Sequence, residues 1–518
     1  MRRELWVLLA VGLLGVAACG SSAPGLTAGR SDAAVDQTTP ETEPAVTAGP
    51  DTTMPDSTPD STPDDTSGPT VPDTGGTTPP PSSYVPNPNN AVIDFGDNKT
   101  PQPYDDFLQA SIADIQDYWR ETYPAVYGAE FPELQGGVWA SYPGRTGLPT
   151  GCRGDPEAPY IAAGNAFYCA NGDYMAYDDA FLIPEITEML GSQSAVGVVF
   201  AHEFGHAIQW RVGAILPPDT PVVYREQQAD CFAGAWTARI ARGESPILSF
   251  DDSDVKAGLL AMVFIKDGEL GVNVFEGNAH GTAFDRVGAF QHGFIGGAVD
   301  CMALETNPLP LLNLMFTDEN EANSGGNLSY DDIGAAVITD LTRYWTATLG
   351  TDGFTPPAVV AYGHDGPFPT CDTITDDQYP FGGLYCPSTN EVLYDEDFAR
   401  TLYNQFGDFA VGYVIGGAWS DAVQTQIGSN LAGEQRILIN DCLIGAWTND
   451  LIPPADGVLG EQLYISPGDL DEAVSTALTV GDAQFDSNMM GSAFEKIDNF
   501  RAGVLGGVAE CNARITGG

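Results

Sequence analysis

Hydrophobic positions are unevenly spread along this chain. An apolar run, Leu5 to Val16, follows Arg2 and Arg3. From Gly20 to about Thr100 apolar residues almost vanish, as in TTMPDSTPDSTPDDTSGPTVPDTGGTTPPPSS. Beyond that, dense apolar patterns continue to the C-terminus. The first run is too short to span a bilayer as a mature helix and reads as a targeting segment. The bare stretch has nothing to bury and is expected to be a disordered, charge-extended tether over residues 20–100. Further on, Ser192 and Ser194 offer N-caps for a near-continuous apolar segment, Ala195 to Ile208, that reads as a buried helix. Arg225 to Asp230 opens a second segment of helical composition, and Thr282 to Ile295 reads as a third helix.

The pattern recurs. YDDFLQASIADIQDYW (Tyr104 to Trp119) matches YDDIGAAVITDLTRYW (Tyr330 to Trp345) without a gap. NAFYCANGDYMAYDDAF resembles GGLYCPSTNEVLYDEDF, and VVFAHEFGHAIQWRVG resembles YVIGGAWSDAVQTQIG. REQQADCFAGAW matches RILINDCLIGAW, and HGTAFDRVGAFQHGFIGGAVDC matches MGSAFEKIDNFRAGVLGGVAEC. The same order throughout implies a tandem duplication: one copy over 101–305, a connector over 306–327, a second copy over 328–518. Residues shared by both copies serve the fold. Residues lost from the second are candidates for chemistry. His202 faces Gly417, Glu203 faces Ala418, His206 faces Asp421, Glu226 faces Ile437 and His280 faces Met490.

Charge narrows the partners. Asp and Glu total 71 against 20 Lys and Arg, a net charge of −51. Such a surface repels nucleic acid, whose phosphates need clustered cations. The targeting segment, residues 1–19, ends Val16-Ala-Ala-Cys19, which looks like a bacterial lipobox. Its cysteine would carry lipid and anchor the protein to the membrane surface. The alternative is a plain secretory signal with a stray cysteine; both place the mature chain outside the cytoplasm. Setting Cys19 aside, eight of the nine cysteines remain. An even number in an exported chain points to disulfides, although eight allow 105 pairings. Each copy holds four at matching positions, so the simplest framework repeats within each: Cys152–Cys169, Cys231–Cys301, Cys371–Cys386 and Cys442–Cys511.

The lost residues have metal and proton chemistry. His202 and His206 are four apart, so both imidazoles leave one helical face, as two ligands of a tetrahedral zinc would. Glu203, next to the first, can reach a water at the metal. A third ligand is available about twenty residues on in Glu226. Asp230, four residues after it, can accept a hydrogen bond from a ligand imidazole. Because Asp230 persists as Asp441, a cap or backbone hydrogen bond is an equal reading. Without the third ligand, the bland reading of HEFGH is two satisfied core histidines.

With HEFGH, EQQADCFAG, HGTAFDR and GNAFYCANGDYMAYDD, the chain from Tyr104 to Cys301 resembles the bacterial neutral zinc metallopeptidases of the YpfJ-like group, within the gluzincin-type zincins. Two positions depart from that pattern, Ala170 where proline is usual and Asp285 where glutamine is; neither is a ligand. The resemblance implies an α+β zincin-like metallopeptidase domain, here followed by a degenerate zincin-like repeat. It also implies Zn2+ at His202, His206 and Glu226, with Glu203 as general base in peptide-bond hydrolysis. Tyr174 to Tyr177 alternates and reads either as the edge strand that pairs with a peptide substrate or as an ordinary half-buried strand. His280 is expected to stabilise the transition state without binding metal, since zinc must keep a fourth position open. The second copy is a candidate surface for an envelope partner. The rival reading is a non-catalytic envelope scaffold with a structural or vestigial zinc.

Overall fold

The computed structural model describes residues 93–517, apart from 153–159, 214–219, 267–278, 485–492 and shorter stretches at 313, 315, 317–320, 322, 351–352, 364, 376–378, 380–381, 455–458 and 461. The targeting segment, Cys19, the tether as far as residue 92, and Met490 lie outside the described residues. Ile93, inside the stretch assigned to the tether, already belongs to the fold. Ile93 and Asp94 form a short strand, β1, and Ile93 is buried.

The amino-terminal half continues with α1 (Asp105–Tyr127), β2 (Gly137–Ser141), β3 (Ala166–Cys169), β4 (Tyr174–Asp178), α2 (Leu182–Leu190), α3 (Ser194–Val212), α4 (Val223–Ala241), α5 (Asp252–Phe264) and α6 (Ala283–Ala303). Helix α1 follows from its pattern. Leu108, Ile112, Ile115 and Trp119 recur at helical spacing and are buried. Asp105 and Asp106 suit the positive end of its dipole, and Gly128, left-handed at φ 71°, closes it with its N–H on the Pro124 carbonyl. The sheet runs β1-β2-β4-β3, parallel except for the β3–β4 hairpin. This corrects the edge-strand reading of Tyr174–Tyr177. All five residues of β4 are buried, because β4 is held between β2 and β3. Among the described residues the terminal strands are β1 and β3, and β3 is the one beside β4.

Helix α3 starts at Ser194, as its apolar run implies, but the serines do not act as simple caps. Ser192 Oγ accepts the Ser194 N–H and donates to Asp254 at the start of α5. Helices α4 and α6 cross at backbone contact: a Cβ on Gly234 would lie 1.9 Å from the Phe290 carbonyl oxygen, and one on Gly293 would lie 1.8 Å from that of Cys231. Only glycine fits there. The Cys231–Cys301 disulfide ties the same two helices.

The carboxy-terminal half follows the same element order: α7 (Tyr330–Leu349), β5 (Ala358–Tyr362), β6 (Gly383–Cys386), β7 (Glu391–Asp395), α8 (Glu396–Phe406), α9 (Phe409–Gln426), α10 (Gly433–Asp450), α11 (Asp469–Gln484) and α12 (Ala493–Gly517). Its sheet, β5-β7-β6, repeats the β2-β4-β3 arrangement. Gly445 and Gly503 repeat the helix crossing, each placing a Cβ 2.0 Å from a carbonyl oxygen of the facing helix. The retained tryptophans repeat a buried hydrogen bond: Trp236 Nε1 donates to Asp114 at 2.8 Å, and Trp447 Nε1 donates to Asp340 at 2.9 Å. All four expected disulfides are bonded. The result is a mixed α+β fold. One hydrophobic cluster runs through both halves, so the 306–327 connector is not a gap in packing. No helix among the described residues is long and apolar enough to cross a membrane.

Candidate metal centre

Helix α3 is buried along nearly its whole length, and its middle turn carries His202, Glu203 and His206. Helix α4 lies against it with Glu226 in its first turn. The two helices approach closely because position 205 is glycine: a Cβ there would lie 2.8 Å from Ala229 Cα. In the other half the matching positions are Ser420 and Asn440, so side chains occupy the contact where the ligands are missing.

Three candidate ligand side chains converge. His202 Nε2 and His206 Nε2 are 3.2 Å apart; Glu226 places Oε2 3.3 Å from the first and Oε1 3.5 Å from the second. Atoms bound about 2.0–2.1 Å from a tetrahedral zinc lie about 3.3–3.4 Å apart, close to the 3.2 Å between the two imidazole nitrogens and the 3.3 Å from His202 to Glu226 Oε2; the 3.5 Å contact runs to the other Glu226 oxygen. Glu226 Oε2 is buried and receives no hydrogen bond from the chain. The donor set therefore fits a zinc ion, with two imidazoles and one carboxylate facing one point.

The ligand rings are held from behind. His202 Nδ1 lies 2.6 Å from Asp230 Oδ1, so its proton belongs on Nδ1 and leaves Nε2 for the metal. Asp230 also accepts from Arg286 at 2.7 Å, and Arg286 is fixed by the Ile265 carbonyl at 3.0 Å. His206 Nδ1 meets Gln209 Oε1 at 2.9 Å, while Gln209 donates to the Arg225 carbonyl at 2.7 Å. Burial opposes protonation of His202, but Asp230 and Glu226 outweigh it and push its pKa up to about 10. Burial would raise Glu226, yet the two histidines hold it well below the ordinary carboxylate range.

Glu203 is turned toward the sheet. Its Oε2 accepts the Tyr168 N–H of edge strand β3 at 2.8 Å. His280 is half-buried. Its neighbours Ala279 and Gly281 pack on Val223, the first residue of α4, three before Glu226. The sequence reading omitted Arg286, Gln209 and the Tyr168 N–H. The two side chains had a signal, since the other half keeps a cation (Lys496) and a glutamine (Gln424) at the matching positions.

The second half closes the same pocket without ligands. Gly417, Ala418, Asp421 and Ile437 line a cavity of about 480 Å³. Asp441, matching Asp230, accepts from Lys496 at 2.8 Å and from the Tyr413 hydroxyl at 2.7 Å. Tyr413 thus makes to Asp441 the kind of hydrogen bond that His202 makes to Asp230, so the buried carboxylate is partnered in both halves. Asp421 is spent on an ion pair with Arg436. Elsewhere in this half Asp408, Asp469 and Glu472 come together. These are oxygen donors only, unlike a zinc set, and each already accepts a backbone N–H, from Leu328, Ser466 and Phe409 respectively.

Residues 102–304 match the family model described as "Putative neutral zinc metallopeptidase". The match covers the half that carries the candidate ligands, and the family implies zinc as the metal and a hydrolase as the coarse activity. The metallopeptidase match ends at the last turn of α6 and does not extend into the half with the emptied pocket. No curated protein and no solved structure matches the chain.

Proposed function

We propose that residues 101–305 form a zincin-like endopeptidase domain acting outside the cytoplasm, and that residues 328–518 are a degenerate copy of it without catalytic activity. The observation that carries this reading is the three-donor set at zinc spacing with Glu203 on the adjacent position of the same helix. A zinc ion held by His202, His206 and Glu226 supplies Lewis acidity to a water and to the scissile carbonyl. Glu203 takes the proton of the attacking water and delivers it to the leaving amine. One of its oxygens is anchored by the Tyr168 N–H, which leaves the other for the water.

Strand β3 is the proposed peptide-binding edge. The Asp178 N–H bonds to the Asn165 carbonyl, so by the alternation of an antiparallel ladder Ala166 and Tyr168 turn their backbone groups away from β4. The Tyr168 N–H is used by Glu203 and the Ala166 N–H by the Asn165 side chain, leaving the two carbonyls to accept from an extended substrate. This couples substrate pairing to the orientation of the general base. His280, on the segment packed against the start of α4, is proposed as a second donor to the developing oxyanion. The Arg2-Arg3 start, the apolar run and the Val16–Cys19 ending support export and lipid attachment at Cys19, followed by the tether.

Purified full chain should cleave an unstructured protein, lose that activity to a chelator and regain it with zinc. Cleavage that persists in chelator, or none in the zinc-loaded protein, defeats the reading.

A further inference from the structure

The half without ligands touches the machinery of the half that has them. Asp471, in the first turn of α11, is buried and faces α6. Its Oδ1 accepts the N–H of Phe284 at 3.0 Å, and its Oδ2 meets the Lys266 ammonium at 3.0 Å. Phe284 is the second residue of α6, so Asp471 satisfies a helix-start N–H that has no partner within its own helix. A further first-turn donor, the Asp285 N–H, goes to Thr282 Oγ1 of the same segment. A negative charge at this end also suits the helix dipole. Arg501, on α12, donates to the Phe284 carbonyl and lays its guanidinium 4.1 Å from the centre of the Phe284 ring. Both side chains from the second half therefore hold one residue, and that residue lies two positions before Arg286.

We propose that the emptied half is a positioning element for the metal site, in which Asp471 and Arg501 fix the first turn of α6 and so set Arg286 against Asp230 and, through Asp230, the His202 imidazole. The inference rests on the metallopeptidase reading above. The path is short and contiguous. Phe284 is clamped, Arg286 shares its helical turn, Arg286 meets Asp230 at 2.7 Å, and Asp230 meets His202 Nδ1 at 2.6 Å. Gly281 and His280 lead directly into that turn, so the same clamp fixes the segment that carries the proposed oxyanion donor.

The interface supplies its own control. It is close to two-fold: Phe284 and Phe494 are matching positions of the two copies, as are Gln291 and Arg501. Where Arg501 donates to the Phe284 carbonyl, Gln291 donates to the Phe494 carbonyl at 2.7 Å. The paired rings, Phe284 with Phe500 and Phe294 with Phe494, complete the contact. Removing the Gln291 contact loosens the interface on the side that has no metal ligands. Removing the Asp471 or Arg501 contact loosens it on the side that has them. The arrangement is what a self-complementary dimer contact becomes when its two members are joined in one chain.

The test is zinc competition against a fluorescent chelator, using full chain carrying Glu203→Gln so that turnover plays no part. Asp471→Ala should weaken zinc binding roughly 10- to 100-fold, the range for losing support behind a ligand. Asp471→Asn, which can still accept the Phe284 N–H, should recover most of that affinity. Gln291→Ala should bind zinc as the parent does. Should Asp471→Ala fail to fold, Arg501→Lys, which keeps the charge but loses the planar contact with Phe284, should still weaken zinc several-fold. Parent-like zinc affinity in Asp471→Ala or Arg501→Lys overturns the proposal. So does an equal loss in Gln291→Ala, which would mean that the interface only adds stability. If the parent takes up no zinc, the metallopeptidase reading itself fails and takes this proposal with it. Zinc binding that follows the expected order in a protein that cleaves nothing leaves the positioning role intact and removes only the catalytic reading.

Discussion

Replacing Gly205 with alanine tests how the site is built. A Cβ at that position would lie 2.8 Å from Ala229 Cα, 3.0 Å from its Cβ and 3.2 Å from its carbonyl oxygen. Ordinary carbon contacts are about 3.5–4.0 Å, so α3 and α4 must separate by roughly 1 Å. His202 and His206 ride on one helix and Glu226 on the other, and ligand distances tolerate only about 0.2 Å. Stability of the metal-free protein should fall by about 0–2 kcal/mol. Overpacking costs about 1–3 kcal/mol, while alanine gains about 1 kcal/mol over glycine inside a helix. Zinc affinity will report the change, falling at least 10- to 100-fold, or about 1.4–2.7 kcal/mol. Competition against a chelator, alongside a thermal melt in the absence of metal, separates the two. Ser420 already carries a side chain at the matching buried position of the emptied half, where no ligand spacing has to be kept. Wild-type zinc affinity in Gly205→Ala would refute the claim that this contact sets the ligand geometry.

Other outcomes follow from the same residues. Metal analysis should find near one zinc per chain, lost in His206→Ala; two zincs, or an unchanged content, would contradict the assignment of a single site. His280→Ala should keep zinc and fold but lower kcat by roughly two to three orders of magnitude, the scale for one oxyanion donor, and near-normal turnover would return His280 to a structural role. Stability of the metal-free protein should fall as pH rises from about 5.5 to 7.5. Burial raises the Asp179, Asp285 and Asp408 carboxyls to about 6, 7 and 6, above an unfolded value near 4, so folding takes up protons in this window and the gain is lost as pH climbs through the folded values. A melting temperature that rises between those two pH values would contradict this. Labelling of cells with a fatty-acid probe should mark the protein and miss Cys19→Ser.

The grouping of the candidate ligands was legible because it is local in sequence. His202 and His206 share one helical face, and Glu226 with Asp230 repeats that spacing on the next helix, so two short motifs placed all three donors. The comparison of copies sharpened this, since five residues vanish together at 417, 418, 421, 437 and 490. It also gave the disulfides, because cysteines at matching positions in the two halves leave few consistent pairings. What the sequence could not show was long-range order. Tyr174–Tyr177 alternates as an edge strand would, yet lies inside the sheet because strand order depends on which neighbour pairs with it. Arg286 stands in the HGTAFDR motif, but its role depends on α6 being folded back onto Asp230, 56 residues away in sequence. The continuous core through both halves was equally hidden, since two stretches of similar sequence read as separate domains until Phe284, Phe494 and Phe500 are seen together.

The most direct test of the account is a cleavage-site profile. Full chain loaded with one equivalent of zinc is incubated with an unfolded protein, and new peptide termini are read by mass spectrometry beside Glu203→Gln at the same zinc content. The account predicts new internal termini from the wild type and a rate roughly two to four orders of magnitude lower from the variant, the contribution of one general base. Equal cleavage by both proteins, or no new termini from either, would contradict it.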